Sequence, residues 1–226
     1  MKSKLICVAL SVSLALAFIS LAIAVPIYFR PFYYMQIDGL GIPDETGLTT
    51  EEVREAYDSL LDYLTMPWAD FSVGKLPYSD EGAAHFLDCR ILFGINLGVL
   101  IISLISVAVI SILIRKGIMR GEDVGNIPKR ALKYSGISVI ALVLLASVFA
   151  LFDFDGVFRR MHARLFPYTD NWVFNPDTDP IILALPEKFF ARCGIVIGAV
   201  SLAEAICSVI LSKIISKNKK RATRKV

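Results

Sequence analysis

The chain has 226 residues, of which 55% are hydrophobic and 20% charged, and its mean hydropathy is +0.61. That apolar excess is too large for an ordinary water-soluble domain and indicates a membrane protein. The net charge is only +3, and the short lengths of chain outside the apolar runs exclude a large soluble catalytic domain.

Four runs with few or no charges account for the hydropathy. Each has 19 to 25 residues, which at about 1.5 Å per residue is enough to cross a hydrocarbon core about 30 Å thick as a helix. Helices are expected because a lipid-facing backbone must satisfy its own hydrogen bonds. The runs cover residues 5–29, 91–114, 134–152 and 193–212.

Basic residues are distributed unevenly between the segments that join these runs. Residues 1–4, 115–133 and 213–226 together carry fifteen basic and two acidic residues, whereas 30–90 and 153–192 carry nine basic and eighteen acidic residues. The positive-inside rule therefore predicts a multi-pass protein of the cell membrane, with both termini in the cytoplasm and 30–90 and 153–192 outside.

The first run has a second interpretation. Lys2 and Lys4 form a basic start, and 22–24 resembles the small-residue site at which a signal peptide is cleaved. The apolar stretch is longer than the usual signal core of about 7–15 residues. A first membrane span at 1–29 is therefore preferred to a cleaved signal peptide.

The first outer segment, 30–90, contains a helix signature. A turn-rich stretch at 39–43 precedes Thr49 and Glu52, which have capping-box spacing. From Ser79 onward the pattern predicts a second helix that continues into the second span. Apolar residues on one face of the first helix are Val53, Tyr57, Leu60, Leu61 and Leu64.

The second outer segment, 153–192, is rich in Pro and Asp. Residues 181–185 are a short apolar run that ends at Pro186, and they predict either a short strand or a buried turn. The fold class expected is an all-α membrane protein, a four-transmembrane-helix bundle with a small α+β cap formed by the two outer segments. Residues 115–133 then form a cytoplasmic loop and 213–226 a basic cytoplasmic tail.

Only two histidines exist, and both fall in the outer segments. His85 lies six residues before the second run, about 9 Å above its start if helical, and His162 lies ten residues after the third. Imidazole suits proton transfer because its unperturbed pKa of about 6.5 leaves both forms populated near neutral pH. The two rings either share a site or are independent interface histidines that bond to loop carbonyls or solvent.

Metal binding and covalent catalysis are two further possibilities for the outer segments. His85, Asp88, His162 and Asp170 are conceivable metal ligands, but no HExxH or CxxC pattern supports a metal and none is predicted. Cys89 lies one helical turn from His85 and is a possible nucleophile.

Two further features allow more than one role. Cys89 and Cys193 lie at the same predicted boundary, where a disulfide is possible. Glu204 is a carboxyl group inside the fourth run, which suggests a functional or pairing role. Arg164 and its neighbours Arg159 and Arg160 either contact lipid phosphates or hold an anionic or ester-bearing headgroup.

Four stretches of the outer segments form a recognisable pattern: AHFLD at 84–88, MHARLFPYTDNW at 161–172, NPDTD at 175–179 and LPEKFF at 185–190. Together they resemble a known family, the lipoprotein intramolecular transacylases of Gram-positive bacteria. The resemblance covers the four-span layout and both outer segments.

This resemblance implies an acyl transfer on a diacylglyceryl lipoprotein. The sn-2 acyl chain would move to the α-amino group of the lipoprotein's own N-terminal cysteine, giving a lyso-form lipoprotein. His85 and His162 are the implied catalytic pair. We expect His85 to take the amine proton and His162 to protonate the departing oxygen or support the oxyanion. The substrate-binding residues expected beside them are Asp88, Arg164, Asn171 and Trp172.

The expected partners are diacylglyceryl lipoproteins and membrane lipids, without nucleic acid, and no cofactor is expected because conversion of an ester to an amide is downhill. The sequence makes no prediction of oligomeric state. The alternative is a non-enzymatic four-span sensor, assembly factor or transporter whose outer cap binds a ligand. The acidic outer segment and Glu204 favour that alternative.

Overall fold

The computed structural model describes residues 2–119, 124–167 and 169–223. Parts of three sequence features lie outside these residues: Arg120 with the rest of 120–123 in the loop between the second and third runs, Tyr168 of the family motif, and 224–226 of the basic tail.

The described residues form helices joined by turns and loops. No strand occurs among them, so the α+β cap predicted from the sequence differs from the structure. Residues Ile181–Ala184 form a short helix rather than a strand, with Pro180 at its N-cap position. The helices are α1 (Lys2–Tyr28), α2 (Pro31–Tyr34), α3 (Ile42–Thr46), α4 (Thr50–Thr65), α5 (Asp80–Arg115), α6 (Ile127–Phe152), α7 (Phe154–Leu165), α8 (Ile181–Ala184) and α9 (Glu187–Thr223), with 3₁₀ turns at Asp38–Leu40 and Val124–Asn126.

Four of these helices are long and apolar enough to cross a membrane, as predicted. The candidate spans are Ser3–Tyr28, Asp80–Arg115, Val124–Phe152 and Glu187–Lys217. The second is 36 residues long, which is well beyond the roughly 20 residues that a bilayer requires. As predicted, its helix begins immediately after Ser79 and carries His85 before the apolar run starts.

Contacts divide the chain into two compact units. The span unit comprises residues 1–23, 97–148 and 197–226, and the cap unit comprises 24–96 and 149–196. In the span unit, α1 and α6 pack through Cys7, Leu10, Ile127 and Ala131, and partly buried α5 residues join them: Val107, Ile110 and Ile114. Cys7 is therefore a packing residue, as expected for a cysteine within a span.

Helices α6 and α9 approach closely in the same unit. A Cβ on Gly136 would lie 2.6 Å from the Ala205 carbonyl oxygen, so only glycine permits this separation. Ser208 Oγ donates to the Leu132 carbonyl oxygen at 2.9 Å. Small residues at helix interfaces are typical of membrane bundles, where close packing replaces the hydrophobic drive between helices.

Stacked aromatic rings form the centre of the cap unit. Tyr33 and Tyr57 stack with ring centroids 3.8 Å apart, and Phe189 meets Tyr33 edge-on at 5.1 Å. The Tyr33 hydroxyl donates to the Ala184 carbonyl oxygen at 2.7 Å. Burial raises the pKa of both tyrosines above the ordinary value, so their hydroxyls remain protonated and able to donate.

Helix α4 supplies the apolar face of this core. The predicted capping box is present: Thr49 Oγ1 accepts from the Glu52 amide at 3.2 Å, and Glu52 accepts from the Thr49 amide at 2.9 Å. The predicted stripe is buried, which confirms the helical period read from the sequence. Its members are Val53, Tyr57, Leu60, Leu61 and Leu64.

Candidate active site

The start of α5 is tied to a loop that lies about 100 residues further along the chain. Ser79 Oγ accepts from the Gly82 amide at 3.0 Å and so caps the helix. Asp179 accepts from the Ser79 amide and from Ser79 Oγ, both at 2.8 Å, and from Thr178 Oγ1 at 2.7 Å. Burial alone would raise the pKa of Asp179, but these hydrogen bonds hold the pKa below its ordinary value.

Gly82 leaves space for this contact between Asp179 and the start of α5. A Cβ built on Gly82 would lie 2.2 Å from Asp179 Oδ1 and 3.2 Å from Phe174 Cε1. Any side chain at this position therefore collides with the carboxylate that holds the loop against the helix. The glycine is required by close approach and not by backbone conformation, because Gly82 has helical geometry.

His85 lies one turn further along α5 and is only 5% exposed. Its Nε2 lies 3.4 Å from Cys89 Sγ, and its Nδ1 is buried without a hydrogen-bond partner among the described residues. Two phenylalanines pack on the ring, Phe166 at 4.8 Å and Phe174 at 5.4 Å between centroids. A buried imidazole nitrogen without a partner is costly, and it marks a position that a ligand can satisfy.

His162 lies on α7 and is half-buried. Its Nδ1 is 2.9 Å from the Phe158 carbonyl oxygen, one turn earlier. A carbonyl only accepts, so Nδ1 carries the proton, and in the neutral ring Nε2 holds the lone pair. The ring packs against Phe158 at 4.1 Å and Trp172 at 5.3 Å.

The structure brings the two imidazoles together. Their ring centroids are 6.1 Å apart, and Phe166 contacts both rings, at 4.8 Å from His85 and 5.8 Å from His162. The interpretation of two independent interface histidines does not describe this arrangement. Both histidines belong to the cap unit.

Two cavities lie beside the pair. The acidic cavity, about 550 Å³, has three carboxylates in its wall and extends along the first turn of α5. The smaller cavity, about 260 Å³, has Asp88 as its carboxylate and is otherwise mainly apolar. Thr169 lines both cavities, which are therefore adjacent. The remaining walls of the smaller cavity are Ile91, Leu92, Leu165, Phe166 and Pro167.

The predicted substrate-binding residues fall in different places. Asn171 lines the acidic cavity, and Trp172 packs on His162. Asp88 is half-buried in the wall of the smaller cavity. Arg164 is exposed on α7, and its side chain makes no hydrogen bond or ion pair within the described part of the chain. The structure therefore places three of the four beside the pair or its cavities and leaves the fourth at the surface.

Neither a disulfide nor a metal centre forms in the described part of the chain. Cys89 and Cys193 are both free thiols, so the bond considered from their positions in the sequence is not made. Among residues 2–119, 124–167 and 169–223, no three His, Cys, Asp or Glu side chains converge as metal ligands would. Glu204 is half-buried in the span unit, and its Oε2 finds no hydrogen-bond partner in the described residues.

Several residues that shape the site were not identified from the sequence. The Phe158 carbonyl fixes the tautomer of His162, and Phe166 and Phe174 enclose His85. Signals for α7 were present, because Asp153 accepts from the Gly156 amide as an N-cap and apolar residues recur at helical spacing. These residues are Phe154, Phe158, Met161 and Leu165. No local sequence pattern predicts the hydrogen bonds between Ser79 and Asp179.

Two adjacent imidazoles beside cavities, in a chain with four membrane-spanning helices, define an integral membrane protein equipped for proton transfer. The family profile described as "Lipoprotein intramolecular transacylase Lit" matches residues 8–190. The chain belongs to this family of membrane-bound transacylases, as the resemblance of its motifs indicated.

Solved structures of one member are similar along nearly the whole chain. The membrane integral lipoprotein intramolecular transacylase Lit from Bacillus cereus is 28% identical, with a TM-score of 0.87 over 97% of this chain and 98% of that chain. Two further structures are of that protein with its H85R and its H85A mutation, each with 28% identity and a TM-score of 0.81. They cover 98% and 97% of this chain and 95% and 96% of theirs. No curated relative matches the sequence.

Proposed function

We propose that this chain moves the sn-2 acyl group of a diacylglyceryl lipoprotein onto the α-amino group of that lipoprotein's own N-terminal cysteine. The observation that carries the proposal is the pair of imidazoles 6.1 Å apart, one of which has its tautomer fixed by a backbone carbonyl. The family name, lipoprotein intramolecular transacylase, supports the substrate class.

The reaction balances within one substrate molecule. The amine nitrogen attacks the sn-2 ester carbonyl and forms a C–N bond, the C–O bond to glycerol breaks, and one proton passes from nitrogen to the released glycerol oxygen. Because the amine and the ester belong to one molecule, much of the entropy of bringing them together is already lost. An α-amine has a pKa of about 7.7–8.0 and is mostly protonated at neutral pH, so a base is needed.

We assign His162 as that base, which reverses the roles expected from the sequence. The Nδ1 proton of His162 is engaged by the Phe158 carbonyl, so Nε2 is the nitrogen that can accept the amine proton. His85 is deeply buried between Phe166 and Phe174. In this assignment the proton that His162 takes from the amine passes to His85, 6.1 Å away between ring centroids, and His85 delivers it to the departing sn-2 oxygen, so both rings return to their starting forms.

Asn171 is the donor proposed for the tetrahedral oxyanion. Its Oδ1 accepts from Thr169 Oγ1 at 2.9 Å, which directs the amino group of the carboxamide away from Thr169. Asn171 also lines the acidic cavity beside Phe174, which contacts His85. A fixed donor of this kind is typically worth about 10²–10³ in rate.

The test is conversion of a synthetic diacyl lipopeptide by the purified chain in detergent, followed by mass spectrometry of the lyso product. General acid or base help is worth about 10²–10⁴, so His85→Ala and His162→Ala should each lose at least about a hundredfold. Met161→Ala is the matched control, because Met161 is an exposed neighbour on the same helix as His162. Unchanged turnover in either histidine variant would remove that residue from the mechanism.

A second substrate separates the two roles. Replacing the sn-2 oxygen ester by a thioester supplies a leaving group that needs no proton, so the acid becomes dispensable while the base does not. We expect the thioester to restore much of the activity of His85→Ala and little of that of His162→Ala. The opposite pattern would return the base to His85.

We further propose that the cap unit lies outside the cell and both termini lie in the cytoplasm, which rests on the concentration of basic residues in 1–4, 115–133 and 213–226. Single cysteines at Trp68, 79% exposed in the cap unit, and at Ile118, 62% exposed after α5, test this in a cysteine-free background. A membrane-impermeant thiol reagent added to intact cells should label the first and not the second. The reverse labelling would overturn the orientation.

A further inference from the structure

The order of residues along α5 separates the two cavities around His85. Glu81, Gly82 and Ala84 line the acidic cavity, and Asp88, Ile91 and Leu92 line the smaller one. At about 1.5 Å per residue, His85 sits between the two sets, within one turn of each. A substrate whose reacting ester lies at the histidines therefore extends into one cavity at each end.

The two cavities differ in chemistry. Ile91 begins the second apolar run, so the smaller cavity adjoins the lipid-like part of α5 and suits the glyceryl and acyl end of the substrate. The acidic cavity has no basic residue in its described wall. Its volume of about 550 Å³ is within the usual range for ligand sites, about 300–1,000 Å³.

Two carboxylates of the acidic cavity are uncommitted. Asp179 is buried and bonded to Ser79 and Thr178. The carboxylates of Glu81 and Asp170, by contrast, are exposed and form no hydrogen bond or ion pair with any residue that the structure describes. Carboxylates facing a cavity without a counter-charge favour a cation brought by the ligand.

His85 is an independent observation: it does not line the acidic cavity but adjoins it through Phe174, and it is a buried group that a ligand can satisfy. Its ring is 5% exposed, and Nδ1 lacks a partner in the described structure. Phe174, whose ring centroid is 5.4 Å from that of His85, also lines the acidic cavity. A molecule that fills the cavity therefore ends against the wall of the histidine pair.

We infer that the acidic cavity binds the peptide residues that follow the acylated cysteine and favours cationic side chains there, through Glu81 and Asp170. The inference rests on the proposed function, since it places the lipoprotein's peptide in one cavity and its acyl ester at the histidines. The selectivity arises in binding, so it changes KM more than kcat.

The test uses the purified full chain in detergent and two diacyl lipopeptides that are identical except for Lys or Glu at the three positions after the cysteine. Two exposed ion pairs predict a kcat/KM about three- to tenfold higher for the Lys peptide. The preference should weaken as salt is raised, because screening acts on exposed charges.

The variants Glu81→Gln and Asp170→Asn should reduce the preference, and Glu81→Lys should reverse it. Glu51→Gln, a change to an exposed carboxylate in the first turn of α4, is the matched control and should preserve it. Thermal unfolding of each variant checks that the fold is retained. An equal preference in wild type and in both cavity variants would overturn the inference while leaving the transacylase in place. If the wild type converts neither peptide, the proposed function itself fails.

Discussion

Replacing Gly82 by alanine tests whether the contact between α5 and the 169–179 loop controls the site. The added Cβ would lie 2.2 Å from Asp179 Oδ1 and 3.0 Å from Asp179 Cγ. That carboxylate cannot simply rotate away, because it is held by the Ser79 amide and by the hydroxyls of Ser79 and Thr178. The alanine must therefore displace the loop or break these hydrogen bonds.

The expected cost follows from two opposing effects. Losing hydrogen bonds to a charged group costs about 1.5–3 kcal/mol. Gly→Ala in a helix contributes the other way, by up to about 1 kcal/mol. The net destabilisation should be about 1–2 kcal/mol. Turnover should fall further than stability requires, because Phe174 and Asn171 belong to the displaced loop and lie beside His85.

Gly94→Ala on the same helix is the matched control, since a Cβ there meets nothing within 4 Å. Thermal unfolding in detergent and lipopeptide conversion should be measured for both variants. Asp179→Ala removes the group with which the new methyl collides, so Gly82→Ala should cost less in that background. If Gly82→Ala behaves like Gly94→Ala in both assays, the tie does not control the site.

Three further changes test individual contacts. Cys89→Ala should keep turnover within about twofold, because Cys89 is not assigned as the nucleophile, and a loss of about a hundredfold or more would instead favour a covalent acyl-cysteine. Tyr33→Phe leaves the buried Ala184 carbonyl without its donor and should cost about 1–3 kcal/mol in thermal unfolding; an unchanged midpoint would mean that this bond is unimportant. Burial would raise the pKa of Asp179, but its hydrogen bonds hold the pKa below the ordinary value. The ionised carboxylate therefore stabilises the fold at pH values above the ordinary carboxyl pKa of about 3.9, and this stabilisation is lost as the pH falls further. Asp179→Asn should therefore flatten the acid side of the stability profile, and a profile identical to that of the wild type would contradict this.

The parts of the fold that sequence reasoning predicted correctly are those set by local periodicity. The four spans follow from uninterrupted apolar runs, and α4 follows from a capping box ahead of an apolar stripe. Both signals lie within a few residues of the structure that they specify. Little depends on how distant segments meet.

The short run at 181–185 shows where this reasoning fails. Its apolar composition fits a strand or a helix equally well, because four or five residues contain too little of either period to distinguish them. The structure forms one turn of helix with Ile181 and Ala184 buried. The Ala184 carbonyl oxygen accepts a hydrogen bond from the hydroxyl of Tyr33, which lies 151 residues away in the sequence. No local pattern could reveal this contact.

The meeting of the two histidines was suggested by family motifs, but their roles were not. The assignment depends on the Phe158 carbonyl, which faces His162 once α7 is recognised as a helix, and on the burial of His85 by Phe166 and Phe174, which only the tertiary structure shows. A histidine bonded to the carbonyl four residues earlier is a local feature of that helix. Reading α7 from its spacing would have fixed the tautomer of His162 without any tertiary information.

Different contacts therefore position the two imidazoles, so their contributions to catalysis can be measured separately. His162 takes its orientation from α7 itself through Phe158, whereas His85 depends on Phe166, on Phe174 and on the loop that Asp179 ties to α5. Loosening that loop should impair the acid more than the base, because His162 loses only the packing of Trp172 and keeps its hydrogen bond to the Phe158 carbonyl. Gly82→Ala should accordingly respond to the thioester substrate as His85→Ala does, with activity partly restored, because the step that the displaced loop weakens is protonation of the leaving oxygen.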